Sequence, residues 1–171
     1  GNVCSWKSSY SAGAGTGNKP VTNVDWCDAY AYCQGVGKRL CGKIGGGANG
    51  YGDYANANMS QWFNACSSGG KYNYPYGNAY DGQKCNGKDK GVGATMPVAT
   101  CPDCISTESG YTGVYDLSGN VFEWEDSCNG TSGSSDPCRL RGGSFSSNDG
   151  YLRCAFDVNY ARSDSAGGIG L

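Results

Sequence analysis

The sequence predicts an α+β domain, stapled by disulfides, with two short helices, a small sheet and much loop. Three observations carry this. Eleven of the 171 residues are Cys. Helical spacing occurs only in two segments before residue 70. Beyond that point Gly, Asn and Asp interrupt the chain every few residues, the punctuation of loops and short strands.

The length suits one domain, with no repeat or linker that would divide residues 1–171. Residues 1–20 are rich in Ser, Gly and Ala and read as loop. The first helix candidate is Val24 to Cys33, with Asp25 as N-cap and Asp28 in the first turn, near the positive end of the helix dipole. Trp26, Ala29, Tyr30 and Cys33 recur at helical spacing, and Gly35 or Gly37 can end the helix. The second candidate runs from Asn58 to Cys66, with Asn58 as N-cap, Gln61 completing a box-like pattern and Gly69-Gly70 closing it. Tyr115-Asp116-Leu117 and Val121-Phe122-Glu123-Trp124 read as short strands around the turn Ser118-Gly119-Asn120, and Arg139-Leu140-Arg141 leads into Gly142-Gly143-Ser144-Phe145.

A net charge of −2 gives no electrostatic reason for nucleic-acid binding. No run approaches the ~18–20 apolar residues of a membrane span. No signal peptide is visible after Gly1-Asn2-Val3, as in a mature chain or a fragment. The cysteine content predicts an oxidising compartment and structural disulfides. Histidine is absent, so a zinc site would need thiolates or carboxylates alone, and the sole CxxC, Cys101-Pro-Asp-Cys104, is a weak metal signal. The odd count means one thiol is free, bonded elsewhere or without its partner. Cys128 and Cys138 flank a Gly/Ser-rich loop and are expected to pair; Cys4, Cys27, Cys41, Cys85, Cys101 and Cys104 have no pairing readable from sequence.

Four ordered segments resemble the formylglycine-generating-enzyme (sulfatase-modifying-factor) family, a branch of the C-type-lectin-like fold. They are Pro20-Val21 through Asp28-Ala29, Tyr32-Cys33 and Gly37-Lys38-Arg39-Leu40; Gln61-Trp62, Cys66 and Gly69-Gly70, followed by Tyr74 to Asn78; Gly113 to Trp124; and Arg141 to Phe145 with Leu152 to Ala155 and Ile169-Gly170. The resemblance covers about residues 20–171 and implies an α+β fold with a small twisted antiparallel sheet. It also implies pairing of Cys66 with Cys154, a partner for Cys33 beyond the last residue, and terminal strands of the full family domain missing from this chain.

Calcium is the cofactor that the resemblance implies. Its first site maps to Gly119, Asn120, Val121 and Glu123, where a tight turn and a carboxylate offer the oxygens a hard cation prefers. The second maps to Asn86, Gly87 and Asp89. The family's enzymes hold copper with two cysteines in the pattern GGSxxCxxxxC, and those places fall here on Ser147 and Leu152. Neither supplies the soft thiolate that copper needs, so no copper and no enzyme activity are expected. Without histidine, Ser-His-Asp, Cys-His and histidine-iron chemistry drop out. The pair Glu123 and Asp126 is the remaining acid–base candidate.

The stretch 145–165 instead reads as a contact surface. Ser146, Ser147, Asn148, Asp149, Tyr151, Phe156, Asp157, Asn159, Ser163 and Asp164 are the small, polar and aromatic types that make adaptable contacts. The segment resembles the one that the variable proteins of diversity-generating retroelements vary to bind partners. The expectation is a non-catalytic extracellular binding or display module, taking a protein or glycan ligand or another subunit. The alternatives are an oxidase of formylglycine-generating type and a structural assembly subunit. Secretion or surface attachment in the style of bacterial lipoproteins follows from the same resemblance, and the sequons at Asn58 and Asn129 are then expected to stay unmodified.

Overall fold

A computed structural model describes residues 3–131 and 133–171. The first two positions of the predicted N-terminal loop therefore lie outside the described residues. Helix α1 spans Trp26–Gly35 and α2 spans Gln61–Ser67. Strands β1 (Phe122–Cys128), β2 (Pro137–Arg141), β3 (Val158–Ala161) and β4 (Ile169–Gly170) form one curled sheet in the order β3-β2-β1-β4.

Helix α1 begins where the sequence predicts. Asp25 Oδ1 accepts the Asp28 N–H at 2.9 Å and Asp28 Oδ2 accepts the Asp25 N–H at 3.2 Å, a reciprocal cap. The Lys7 ammonium lies between the two carboxylates and pairs with both, so the capping acids are held by a cation as well as by the helix dipole. The helix buries Trp26, Cys27 and Ala29 against β1. Two indoles fasten this contact: Trp26 Nε1 donates to the Glu125 carbonyl and Trp124 Nε1 to the Val24 carbonyl, each at 3.0 Å. A Cys4–Cys27 disulfide ties the N-terminal segment to the same helix.

Helix α2 begins later than expected. Its N-cap is Ser60, whose Oγ accepts the Phe63 N–H at 3.0 Å, whereas Asn58 sits exposed in the preceding turn. The reason is tertiary: the Ser60 hydroxyl also donates to Glu125 Oε1 at 2.7 Å, a bond that only a residue facing β1 can make. Gln61 turns its Oε1 to the Gly42 N–H rather than to the cap. Trp62 and Cys66 pack with Leu117 and Cys154 in a second core cluster.

Two further expectations change. Tyr115 to Leu117 is not a strand, because Asp116 adopts φ +61° and its carboxylate accepts the Ala99 N–H at 2.8 Å. The sheet is mixed rather than antiparallel: β1–β2 and β2–β3 run antiparallel, but β4 pairs with β1 in parallel through Phe122–Ile169 and Glu123–Gly170. The register of β1 on β2 shifts between Trp124 and Cys128.

Four disulfides join Cys4–Cys27, Cys66–Cys154, Cys85–Cys104 and Cys128–Cys138, in keeping with an oxidising environment. Cys33, Cys41 and Cys101 are free thiols. Among the described residues no helix is long and apolar enough to cross a membrane.

Candidate ligand groove and cation positions

The chain after β2 makes a compact turn. Gly143 has φ +74°, and a Cβ there would come within 2.9 Å of Leu152 and 3.0 Å of the Tyr151 carbonyl, so only glycine fits. Ser144 and Ser147 lock the turn: the Ser147 N–H donates to the Ser144 carbonyl at 3.0 Å, and Ser147 Oγ accepts the Ser144 N–H at 2.9 Å. The Ser147 carbonyl in turn accepts the Lys88 N–H at 2.8 Å, docking the 87–90 segment beside it.

These contacts shape a groove of about 330 Å³ lined by Lys88, Phe122, Ser146, Ser147, Asn148 and Tyr151. Four predicted contact residues therefore meet here. Ser146, Asn148 and Tyr151 are exposed, and Ser147 is buried. Tyr151 packs on Phe156 with ring centroids 4.6 Å apart.

The remaining predicted contact residues are not part of the groove lining. Asp149 lies 3.8 Å from Arg153, Asp157 pairs with Arg139, and Asp164 Oδ2 accepts the Ala161 N–H at 2.8 Å. Asn159 and Ser163 are exposed on β3 and the turn after it, outside the groove lining. Sequence reasoning missed Lys88 and Phe122. Lys88 stands between Gly87 and Asp89, two positions read for calcium, in a stretch that also carries Lys84 and Lys90, so nothing local set it apart.

At the two places where the resemblance calls for thiolates, Ser147 is spent on its own turn and Leu152 is 2% exposed, packed between Gly87 and Gly143. Cys154 is bonded to Cys66. Two free thiols, Cys33 and Cys41, line a separate cleft of about 190 Å³ with Arg39, Trp62, Glu123 and Leu171. Burial, followed by the charges of Glu123 and Glu125, pushes the Cys41 thiol up to about 11, and burial also raises Cys33.

The two predicted cation positions are neighbours, because Asn86 Nδ2 donates to Asn120 Oδ1 at 3.1 Å. They differ in what they offer. Asn120 Oδ1 also accepts the Met96 N–H at 2.9 Å, so its side-chain oxygen already has two donors, while its main-chain carbonyl accepts one, the Phe145 N–H. Gly119 has φ +79° and approaches so closely that a Cβ would lie 2.5 Å from the Asn86 carbonyl.

Glu123 Oε2 accepts the Trp62 indole N–H at 2.7 Å. Burial, with Asp116 adding to it, pushes its carboxyl up to about 7. Both acids line a cavity of about 290 Å³ with Val98, Val121 and Leu171. Asp126 faces a different cavity, beside Arg162, so the pair Glu123 and Asp126 does not form one acid–base site.

Asn86 Oδ1 is the distinctive atom of this region. It is buried and has no hydrogen-bond donor, the kind of acceptor that a cation or an ordered water satisfies. Gly87 adjoins it, whereas Asp89 is exposed and accepts the Tyr80 hydroxyl at 3.0 Å. Among the described residues no three His, Cys, Asp or Glu side chains converge as metal ligands. A cation here would rest on amide and main-chain oxygens, a set that suits a hard ion.

Residues 2–171 match the sulfatase-modifying factor enzyme 1-like domain family. Among curated relatives, the chain is 30% identical over 171 residues to the formylglycine-generating enzyme of Mus musculus, covering 90% of this chain and 43% of the relative. It is 32% identical over 133 residues to the inactive C-alpha-formylglycine-generating enzyme 2 of Bos taurus, covering 70% and 37%. The chain thus spans less than half the length of these relatives. Its fold is similar to that of PvdO from Pseudomonas aeruginosa, with TM-score 0.65 and 22% identity over 92% of this chain and 62% of that one. It is also similar to Treponema denticola variable protein 1, with TM-score 0.62 and 20% identity over 99% and 76%.

Proposed function

The chain belongs to the sulfatase-modifying factor enzyme 1-like domain family, and within it we propose that this domain is a non-catalytic extracellular binding module whose ligand site is the groove between Lys88 and Tyr151. One observation carries the reading: the two places that need thiolates hold Ser147, tied into its turn, and Leu152, packed in the interior, beside an open polar and aromatic groove. One of the relatives named above is itself called inactive, which agrees with it. The ligand is a protein or glycan, recognised by the serine hydroxyls, the Asn148 amide, the Lys88 ammonium and the Tyr151 ring.

Probing the purified domain against arrays of immobilised peptides and glycans tests this. Tyr151→Ala should weaken any retained ligand by roughly thirtyfold, about 2 kcal/mol, as for an aromatic anchor. Tyr151 is 43% exposed, so its truncation leaves the core intact. Binding that is indifferent to both Tyr151→Ala and Lys88→Ala sinks the groove assignment. Oxygen-dependent conversion of a cysteine peptide by the copper-treated domain would establish the oxidase reading instead.

Calcium is a structural part of the same reading, with Asn86 Oδ1 as the side-chain oxygen that would hold it. At a hundredfold excess over its Kd, calcium should stabilise the domain by about 2.7 kcal/mol, raising Tm by roughly 5–10 °C relative to EDTA. Asn86→Ala should abolish that shift. Identical melting in calcium and EDTA would exclude the site.

A further inference from the structure

The CxxC motif takes no part in the groove, yet it sits in an unusual sulfur cluster. Cys85, Cys101 and Cys104 are all buried and pack together with Tyr76 and Met96. Cys85 and Cys104 share a disulfide, and Cys101 is a free thiol packed with it. A reverse turn closes the motif: the Cys104 N–H donates to the Cys101 carbonyl at 3.0 Å, with Pro102 at the turn position that favours proline. Such a turn holds its first and fourth Cα atoms within about 7 Å, against the roughly 4.4–6.8 Å that a disulfide spans. Cys104 therefore has two partners in bonding range without unfolding of the segment.

Charged groups of both signs lie near the free thiol. Burial pushes the Cys101 thiol up; Lys90 beside it acts in the opposite sense, and Asp116 adds to the rise. Lys90 belongs to the 3₁₀ turn Lys88–Lys90 that follows Cys85, so the cation, the thiol and the disulfide come from neighbouring segments.

We propose that Cys85, Cys101 and Cys104 form an internal thiol–disulfide exchange site, in which the bond moves between Cys85–Cys104 and Cys101–Cys104. The Cys101 thiolate attacks Cys104 Sγ; the Cys101–Cys104 bond forms, the Cys85–Cys104 bond breaks, and Cys85 leaves as a thiolate that takes up the proton. One S–S bond is exchanged for another, so no oxidant or reductant is required. The product frees Cys85 next to Asn86 and Lys88, which couples the exchange to the loop carrying the cation position and one wall of the groove.

The test incubates the intact domain at a series of pH values, quenches with acid, alkylates and maps the peptides without reduction. The expected result is a second isomer with a Cys101–Cys104 bond and alkylated Cys85. Both isomers should carry three alkylated thiols in all. Its rate of appearance should rise about tenfold per pH unit below the thiol pKa, because the thiolate attacks. Cys101→Ser should lack the second isomer, and Lys90→Met should form it severalfold more slowly. Alkylation confined to Cys33, Cys41 and Cys101 at every pH and time overturns the proposal, as does alkylation of Cys85 in Cys101→Ser. Should that variant fail to fold, the time course of the unaltered chain still decides.

Discussion

Replacing Arg141 with Met is expected to destabilise the domain by about 3–5 kcal/mol, the usual cost of removing one partner from a buried ion pair. Arg141 and Glu125 are both fully buried, with Arg141 Nε 3.6 Å from Glu125 Oε2. Arg141 Nη2 also donates to the carbonyls of Tyr54 and Cys154 at 2.9 and 2.8 Å, and its guanidinium lies 4.7 Å from the Trp62 ring centre. Glu125 Oε1 accepts from Asn49 at 3.2 Å and from Ser60. One residue thus ties β2 to the 51–54 turn, to the Cys154 segment and to α2. Burial lowers the Arg141 guanidinium to about 10 and raises the Glu125 carboxyl, so each charge is held chiefly by the other.

Without Arg141 the Glu125 carboxylate has no cation in contact. Its folded pKa then lies further above the ordinary value of 4.5, so the folded state is the one that takes up the proton. The loss should be largest at alkaline pH and should shrink as pH falls towards 4.5. Denaturant unfolding at pH 8 and pH 5 measures this. The double variant Glu125→Gln with Arg141→Met should recover most of the loss, since it removes both charges. A single variant that loses under 1 kcal/mol, or loses the same at both pH values, contradicts the argument.

The second large effect concerns the Cys66–Cys154 disulfide. It spans 88 residues, against 10 for Cys128–Cys138. Chain-entropy scaling assigns about 4.6 kcal/mol to the first and about 2.7 to the second. Paired Cys→Ala replacement at 66 and 154 should therefore cost roughly 2 kcal/mol more than at 128 and 138. The gap should widen further because Cys66 and Cys154 are both fully buried beside Trp62 and Leu117, whereas only Cys138 of the other pair is, Cys128 being partly buried. Guanidinium unfolding of the two double variants gives the comparison. Equal losses would show that loop length does not govern these staples.

Much of this molecule was legible in its residues. The Asp25–Asp28 cap, the turn at Ser118 to Asn120 and the tight corner at Gly142-Gly143 are local devices: side chains bond to amides two or three residues away, or glycine takes a positive φ. Such features need no distant partner, so their residue types announce them. The groove was half legible, because Ser146 to Tyr151 are contiguous, while Lys88 and Phe122 reach it only through the fold. Asn58 has the type and the Gln61 spacing of a cap, but both are local signals, and tertiary contacts draw Ser60 and Gln61 to other partners.

What the sequence by itself determined is the class of the fold, the reliance on disulfides and the substitution of Ser147 and Leu152 where thiolates would be needed. The tertiary structure alone decided the rest. It chose Ser60 as a cap because Glu125 waits on β1. It filled the side-chain oxygen of Asn120 with two donors and left Asn86 Oδ1 without one. It also set Cys101 beside a disulfide. Each of these depends on which groups lie within a few ångströms across long stretches of chain, and burial makes those pairings strong enough to override local preference.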